Sequence, residues 1–375
     1  MRSSPENKNR STDEKLQQRF YILNAVVAVI LLAAIFISIS QFGAEAWHGR
    51  QQIALVIPEK KEELGWNKSQ YLAIKSVCDE LNCDLILREN VLGDYDSCKN
   101  VLAELTKRGV NSVYFSNGCH LYDVAKLEIE YPKAAICTFE SISALWTGGR
   151  YEVLSFEGSY LAGILAGLNT KTNKIGYVAP FMDPEINQGI NAFTLGVQRV
   201  KPEAEVLLNW SGRWNNPSTE EQAVRNLKAL NVDVLTYHQN GDTIPNSCER
   251  VGINFIAFNE VYPSHIHYLA SIKIDWKAIY DKLFMYKNTY VANGAYAFGM
   301  IDNIVDFEVS NKISTREKVL IDTAKWEIEN GRMIFGGEIF DSTGNQRCAA
   351  NETISFNSLY KNMNWLVRGV KIVGN

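Results

Sequence analysis

The sequence has little of what several functional classes require. Its seven cysteines (78, 83, 98, 119, 137, 248 and 348) include no CxxC pair, so a zinc site lacks its usual ligand spacing. There is no basic surplus: the formal net charge is -4 over 375 residues, which makes nucleic acid a poor partner. Neither a nucleophile motif nor a glycine-rich phosphate loop occurs, and Gly336-Gly337 does not follow the dinucleotide pattern. Catalytic residues, a metal and a cofactor are therefore not expected, and the chain reads as a binder rather than an enzyme. A helix-turn-helix is missing as well, which argues against a repressor. No cysteine lies near the end of the N-terminal apolar run, which excludes a lipoprotein anchor. An odd cysteine count rules out complete internal pairing. Cys78 and Cys83 are close enough to pair in an oxidising compartment, or to stay buried as thiols.

What is present starts with ordinary globular proportions, 46% hydrophobic and 21% charged residues. The length suffices for two domains with their own cores. Residues 21–40 (YILNAVVAVILLAAIFISIS) carry no charge and are about long enough to cross a bilayer as a helix. Arg2, Lys8, Arg10, Lys15 and Arg19 precede them. The positive-inside bias keeps residues 1–20 cytoplasmic as a polar tail and places the bulk of the chain outside the cytoplasmic membrane. A cleavable signal is the competing reading, with Ala44-Glu45-Ala46 as the cut site. An apolar stretch longer than the usual signal core favours the uncleaved anchor.

Short apolar runs then alternate with helical patterns. Residues 53–57, 85–87, 113–115 and 134–138 read as strands, interleaved with helical patterns at 68–81, 101–105 and 121–129. A second series runs strand 174–179, helix 185–200, strand 205–208, a helix from Pro217, strand 232–237, helix 244–251 and strand 255–258. Strands separated by helices of this length imply parallel βαβ units. The fold expected is α/β, with two doubly wound parallel-sheet lobes behind one N-terminal transmembrane helix. Lobe 1 is mainly 51–160 and lobe 2 mainly 171–265, with 266–375 crossing between the lobes and completing them. Between the two series lies YLAGILAGL, residues 160–168, too short to span a membrane. Its Gly163 and Gly167 are read as allowing close packing on a sheet.

The stretch LNWSGRWNNPSTEEQAV (208–224) sets Trp210 and Trp214 in a turn between a strand and a helix. Asn216 or Ser218 can cap that helix, Pro217 suits its first turn, and Ser218 with Glu221 has capping-box spacing. The turn thus lies at the carboxyl end of a parallel strand, where open α/β sheets bind ligands.

Several segments, in order, resemble the basic-membrane-protein family of solute-binding proteins. They are GSYLAGILAGLNTKTNKIGYVAP, INAFTLGVQRVKPEAEV, WSGRWNNP, FGGEIFDSTGN and MNWLVRGV. The resemblance covers nearly everything from Gln51 to Gly374. It implies a periplasmic binding protein fold of type I, which closes on a purine nucleoside or related small molecule and delivers it to an ABC permease. A sensor of the same fold, signalling to a membrane receptor or kinase, is the alternative.

A purine offers flat apolar faces and hydrogen-bonding edges, so aromatic side chains and amides are the groups to look for. By the resemblance, Trp214 is a stacking residue, the alternative being an indole packed against the lobe surface, and Trp66 with Asn67 in LGWNKSQY belongs to the first ligand loop. Trp66 could supply an opposing face and Asn67 an amide, or Asn67 or Ser69 could simply cap the helix. Asn117 in FSNGCH ends the third strand, as a cleft residue or an Asn-Gly turn. His238, Gln239 and Asn240, in TYHQN, form the richest polar cluster on the second edge and read as a rim for a base or sugar, ahead of a surface turn or a catalytic histidine. The resemblance adds Asn259 and Glu260 in IAFNEVYPS, where the family commonly has a ribose-holding Asp, and Lys273 near a family lysine. Without that Asp a nucleoside loses charge-assisted hydrogen bonds, so a base is less affected than a nucleoside.

Overall fold

The computed structural model describes residues 50–110, 112–116, 121–139, 149–287 and 295–374. The expected tail and membrane anchor, 1–40, lie outside the described residues. Among those described, no helix is long and apolar enough to cross a membrane.

Residues 52–375 form one compact unit built on two large sheets, with one further two-stranded sheet. Chain order in the first part is β1 (Gln52–Val56), α1 (Trp66–Glu80), β2 (Asp84–Arg88), α2 (Tyr95–Lys107), β3 (Ser112–Phe115), α3 (Leu121–Glu130), β4 (Ala135–Phe139) and β5 (Gly149–Val153). After α4 (Ser155–Asn169) come β6 (Lys174–Ala179), α5 (Pro184–Val200), β7 (Glu205–Trp210), α6 (Pro217–Ala229), β8 (Val234–Tyr237), α7 (Thr243–Val251), β9 (Asn254–Phe258) and β10 (Tyr268–Ile274). The remaining elements are α8 (Trp276–Lys287), β11 (Ala295–Phe298), β12 (Val305–Val309), α9 (Thr315–Glu329), β13 (Ile339–Phe340), β14 (Gln346–Cys348), α10 (Phe356–Asn362) and β15 (Val370–Gly374).

The first sheet has the order β2-β1-β3-β4-β5-β11, all parallel. The second has the order β15-β7-β6-β8-β9-β10-β12, in which only β12 at the edge runs antiparallel. Both orders reverse beside the first strand of their series, the doubly wound pattern. Burial on both faces explains the continuous apolar runs. In β1, Ile53 and Leu55 join one core cluster while Ala54 and Val56 join another.

The chain passes between the sheets at three places: β5 into α4, β10 into α8, and β11 into β12. Leu154 N donates to Phe298 O at 2.8 Å and Asp275 N to Ile304 O at 2.9 Å, so the passages are tied to one another. Glu157 adds a side-chain tie, accepting from Met300 N at 2.7 Å.

Local expectations were met unevenly. Gly163 and Gly167 do permit a close approach, but what they face is helix α5; α4 packs on the second sheet through other residues, Gly158 against Ile272 among them. A methyl on Gly163 would fall 1.9 Å from Phe193 O, and one on Gly196 would fall 2.1 Å from Tyr160 O. Asn216 is the cap of α6, accepting from Thr219 N at 3.4 Å. Its own N–H is taken by Glu220 at 2.7 Å, so the reciprocal partner is Glu220 and not the expected Ser218–Glu221 pair. No disulfide joins Cys78 and Cys83.

Candidate functional site

The carboxyl ends of the two sheets carry the loops that hold most of the expected residues, and these loops meet. Helix α1 begins after Gly65, which has no side chain to cap it and a φ of 93°. The cap comes from the other sheet: Trp66 N donates to Asn240 Oδ1 at 3.3 Å. Asn240 N is fixed in turn by Trp214 O at 2.9 Å. Any side chain at residue 65 would strike Asn240, since a methyl there would sit 2.7 Å from its Oδ1. Glu63 makes a second bridge. Its carboxylate accepts from Asn67 Nδ2 at 2.6 Å and from Asn215 Nδ2 at 3.3 Å. Neither Asn67 nor Ser69 caps α1, correcting the capping alternative; Asn67 is buried and faces Glu63.

On the first side, Trp66 stands edge-to-face with Phe139 (4.6 Å) and Trp276 (4.8 Å). Its Nε1 donates to Ser116 Oγ at 3.4 Å. Asn117, the next residue along, lies outside the described residues. Opposite, Trp214 is 40% exposed, with Phe181 edge-on at 5.5 Å and the His238 ring at 5.9 Å. His238 stacks on Phe258 at 4.7 Å. Gln239 is buried, donating to Ser211 Oγ at 2.9 Å and accepting from His238 N at 3.2 Å. Trp210 ends β7 and packs on the core.

Further along, Asn259 takes a left-handed φ of 63° with its N–H on Ile272 O at 2.7 Å. Glu260 follows, half-buried, with its N–H on Phe258 O. Lys273 lies on β10 opposite Asp306 of β12, the carboxylate that pairs with Lys325 at 2.5 Å. The structure thus gathers Trp66, Asn67 and Asn240 on one bridge, with Trp214, His238 and Gln239 beside it. Asn259 and Glu260 continue that edge after Phe258, and Lys273 is set beside a different charge network.

Burial shapes the electrostatics. It holds His238 at about 4, below the ordinary 6.5, so the ring is neutral at pH 7. Burial also raises Glu220, whose Oε1 keeps Asn216 in place. Several buried polar atoms have no partner among the described residues: Asn67 Oδ1, Trp276 Nε1, His238 Nδ1 and Asn259 Oδ1. Buried groups left this way are uncommon, and in a ligand site they are what a ligand or water satisfies. Sequence reasoning passed over Glu63, Phe139, Phe258 and Trp276. Trp276 had a signal, since it follows β10 in KIDWKAIY as Trp66 follows β1; Glu63 had none beyond its nearness to Trp66.

Residues 50–334 match the Bmp family model, described as ABC transporter substrate-binding protein PnrA-like. The chain belongs to this family. As a Bmp protein it is a solute-binding protein and not an enzyme. It is 23% identical over 324 residues to a purine-binding protein of Brucella abortus, covering 82% of this chain and 89% of that one. Over 134 residues it is 34% identical to a putative ABC transporter glucose-binding protein of Haloferax volcanii, covering 35% of this chain and 34% of that one. Its fold is similar to that of an ABC transporter system solute-binding protein from Conexibacter woesei, with a TM-score of 0.62 at 14% identity. That match covers 75% of this chain and 96% of that one.

Proposed function

We propose that this Bmp protein captures a small planar, purine-like molecule between the carboxyl edges of its two sheets and presents it to an ABC permease. The observation that carries this reading is the bridge itself. Loops from both sheets meet at Trp66–Asn240 and Glu63–Asn215, beside aromatic rings and buried polar atoms that lack partners among the described residues. Flat rings suit indole and imidazole faces, and unpaired amide oxygens and an indole N–H suit the edges of a base. The similarity to a purine-binding protein supports the same ligand class. Closure over a ligand would stabilise the form in which the two edges touch, and only that form would dock.

The membrane placement belongs to the same proposal. Residues 21–40 tether the chain in the cytoplasmic membrane, with the amino terminus inside and the binding part outside, in two lobes built on the two sheets. The test is a thermal melt of the full-length chain with adenine, hypoxanthine, adenosine and glucose in turn. A ligand at 100 times its Kd adds about 2.7 kcal/mol. A shift with the purines alone supports the reading, and a shift with glucose alone overturns the ligand class. Binding without stimulation of transport by its permease would point to the sensor role instead.

A further inference from the structure

Beneath the exposed edge, three polar groups converge on one glycine. A methyl on Gly189 of α5 would lie 3.3 Å from the Tyr177 hydroxyl, 3.4 Å from His238 Nδ1 and 3.5 Å from Ser159 Oγ. The sheet register brings them there. Val178 pairs with Tyr237 on neighbouring parallel strands, and His238 N donates to Val178 O. Tyr177 and the residue after Tyr237 therefore stand diagonally on the same face. A methyl at 189 would touch all three, pressing the Tyr177 hydroxyl by a few tenths of an ångström and filling the space between them. Tyr177, Ser159 and His238 are each at least nine-tenths buried, and His238 Nδ1 has no partner among the described residues.

The Ser159 hydroxyl points back to Ser155 O at 3.4 Å. That leaves the Tyr177 proton for the imidazole. A phenol is a better donor than acceptor, and an unprotonated ring nitrogen is the stronger acceptor in the cluster. The geometry points to Tyr177 as the residue that fixes the His238 tautomer: its hydroxyl donates to Nδ1 across one water, so that Nε2 carries the ring proton and is offered to the ligand as a donor. The neutral state imposed by burial is consistent with this arrangement. Because it rests on the ligand-binding reading above, it also narrows the ligand. A donor at Nε2 recognises an acceptor such as the carbonyl of a 6-oxopurine and leaves the amino group of a 6-aminopurine unmatched.

The full-length chain labelled with 15N-histidine has only five histidines to resolve, and His238→Asn assigns the signal. The expected spectrum has a pyridine-like Nδ1 and a pyrrole-like Nε2 for His238. Tyr177→Phe should move both toward the tautomeric average, and Gly189→Ala, which fills the niche while keeping the hydroxyl, should perturb the same signal. In titrations with hypoxanthine and adenine, the wild type should prefer hypoxanthine by about tenfold, and Tyr177→Phe should narrow the ratio. A protonated Nδ1 in the wild type, or a signal unmoved by Tyr177→Phe, overturns the assignment. If the spectrum is as expected but neither purine binds, the ligand reading fails while the tautomer assignment stands.

Discussion

Trp66, the first residue of α1, and Trp214, in the loop after β7, both follow the carboxyl end of a parallel strand, yet they are held in opposite ways. Trp66 is enclosed by Phe139 and Trp276 and pinned through its Nε1 by Ser116. Trp214 is 40% exposed, touched by Phe181 and His238, and its backbone rather than its ring is what the loop network holds. The first wall is thus an aromatic cluster continuous with the core. The second is a polar scaffold of Ser211, Gln239 and Glu220 that presents one free indole face. Rigid placement and ligand contact are divided between the walls instead of being duplicated.

Replacing the two tryptophans should break that symmetry most visibly. Trp66→Ala should cost about 3 kcal/mol in denaturant melts, as large aromatic truncations in cores do. An equal loss at Trp214→Ala would contradict the contrast. The passage between the walls responds to pH. Burial, reinforced by Asp302 and Glu329, pushes Glu157 up to about 7 from an ordinary 4.5. The folded form therefore holds its proton more tightly than the unfolded chain does. Its contribution is complete below pH 4.5 and is lost as pH rises toward 7, a fall of about 2–3 kcal/mol. Glu157→Gln should flatten that slope in melts run across the range. Asn240→Ala removes the cap that one wall lends to the other and should cost about 1 kcal/mol. Against the tight purine in titration, it should weaken affinity by raising the cost of closure. Trp214→Ala should change stability least, within about 0.5 kcal/mol, while lowering affinity for the same purine at least about tenfold.

The two strand–helix series were legible because both faces of each sheet are buried, which writes strands such as IALV and KIGYVA as unbroken apolar runs. The strands from β1 to β4 and from β6 to β9 were all found, although β2 is half-exposed along its length and the run read for β8, VDVLTY, is interrupted by Asp233. β5 and β11 were missed: GRYEV has no apolar run, while AYAF has one as long as IALV and was passed over. Helix α4 was found and does pack on a sheet, but its Gly163 and Gly167 face α5 instead, because glycine spacing records closeness without saying to what. At the site, aromatic residues and amides in strand-end loops were recognisable one loop at a time. The bridge was not, since Glu63 and Asn215 are separated by 152 positions, as are the other pairs that only the fold brings together. Asn240 illustrates the limit: an amide in a strand-end loop suggested a ligand contact, while the structure uses it to cap a helix from the other sheet.

Hydrogen exchange on the full-length chain, with and without whichever compound stabilises it in the melts, tests the shared-gap claim most directly. Residues 60–67 after β1 should gain protection together with 211–216 and 238–242 from the second sheet. Protection confined to one of these edges, or to neither while binding is plainly measured, would contradict a ligand held between them.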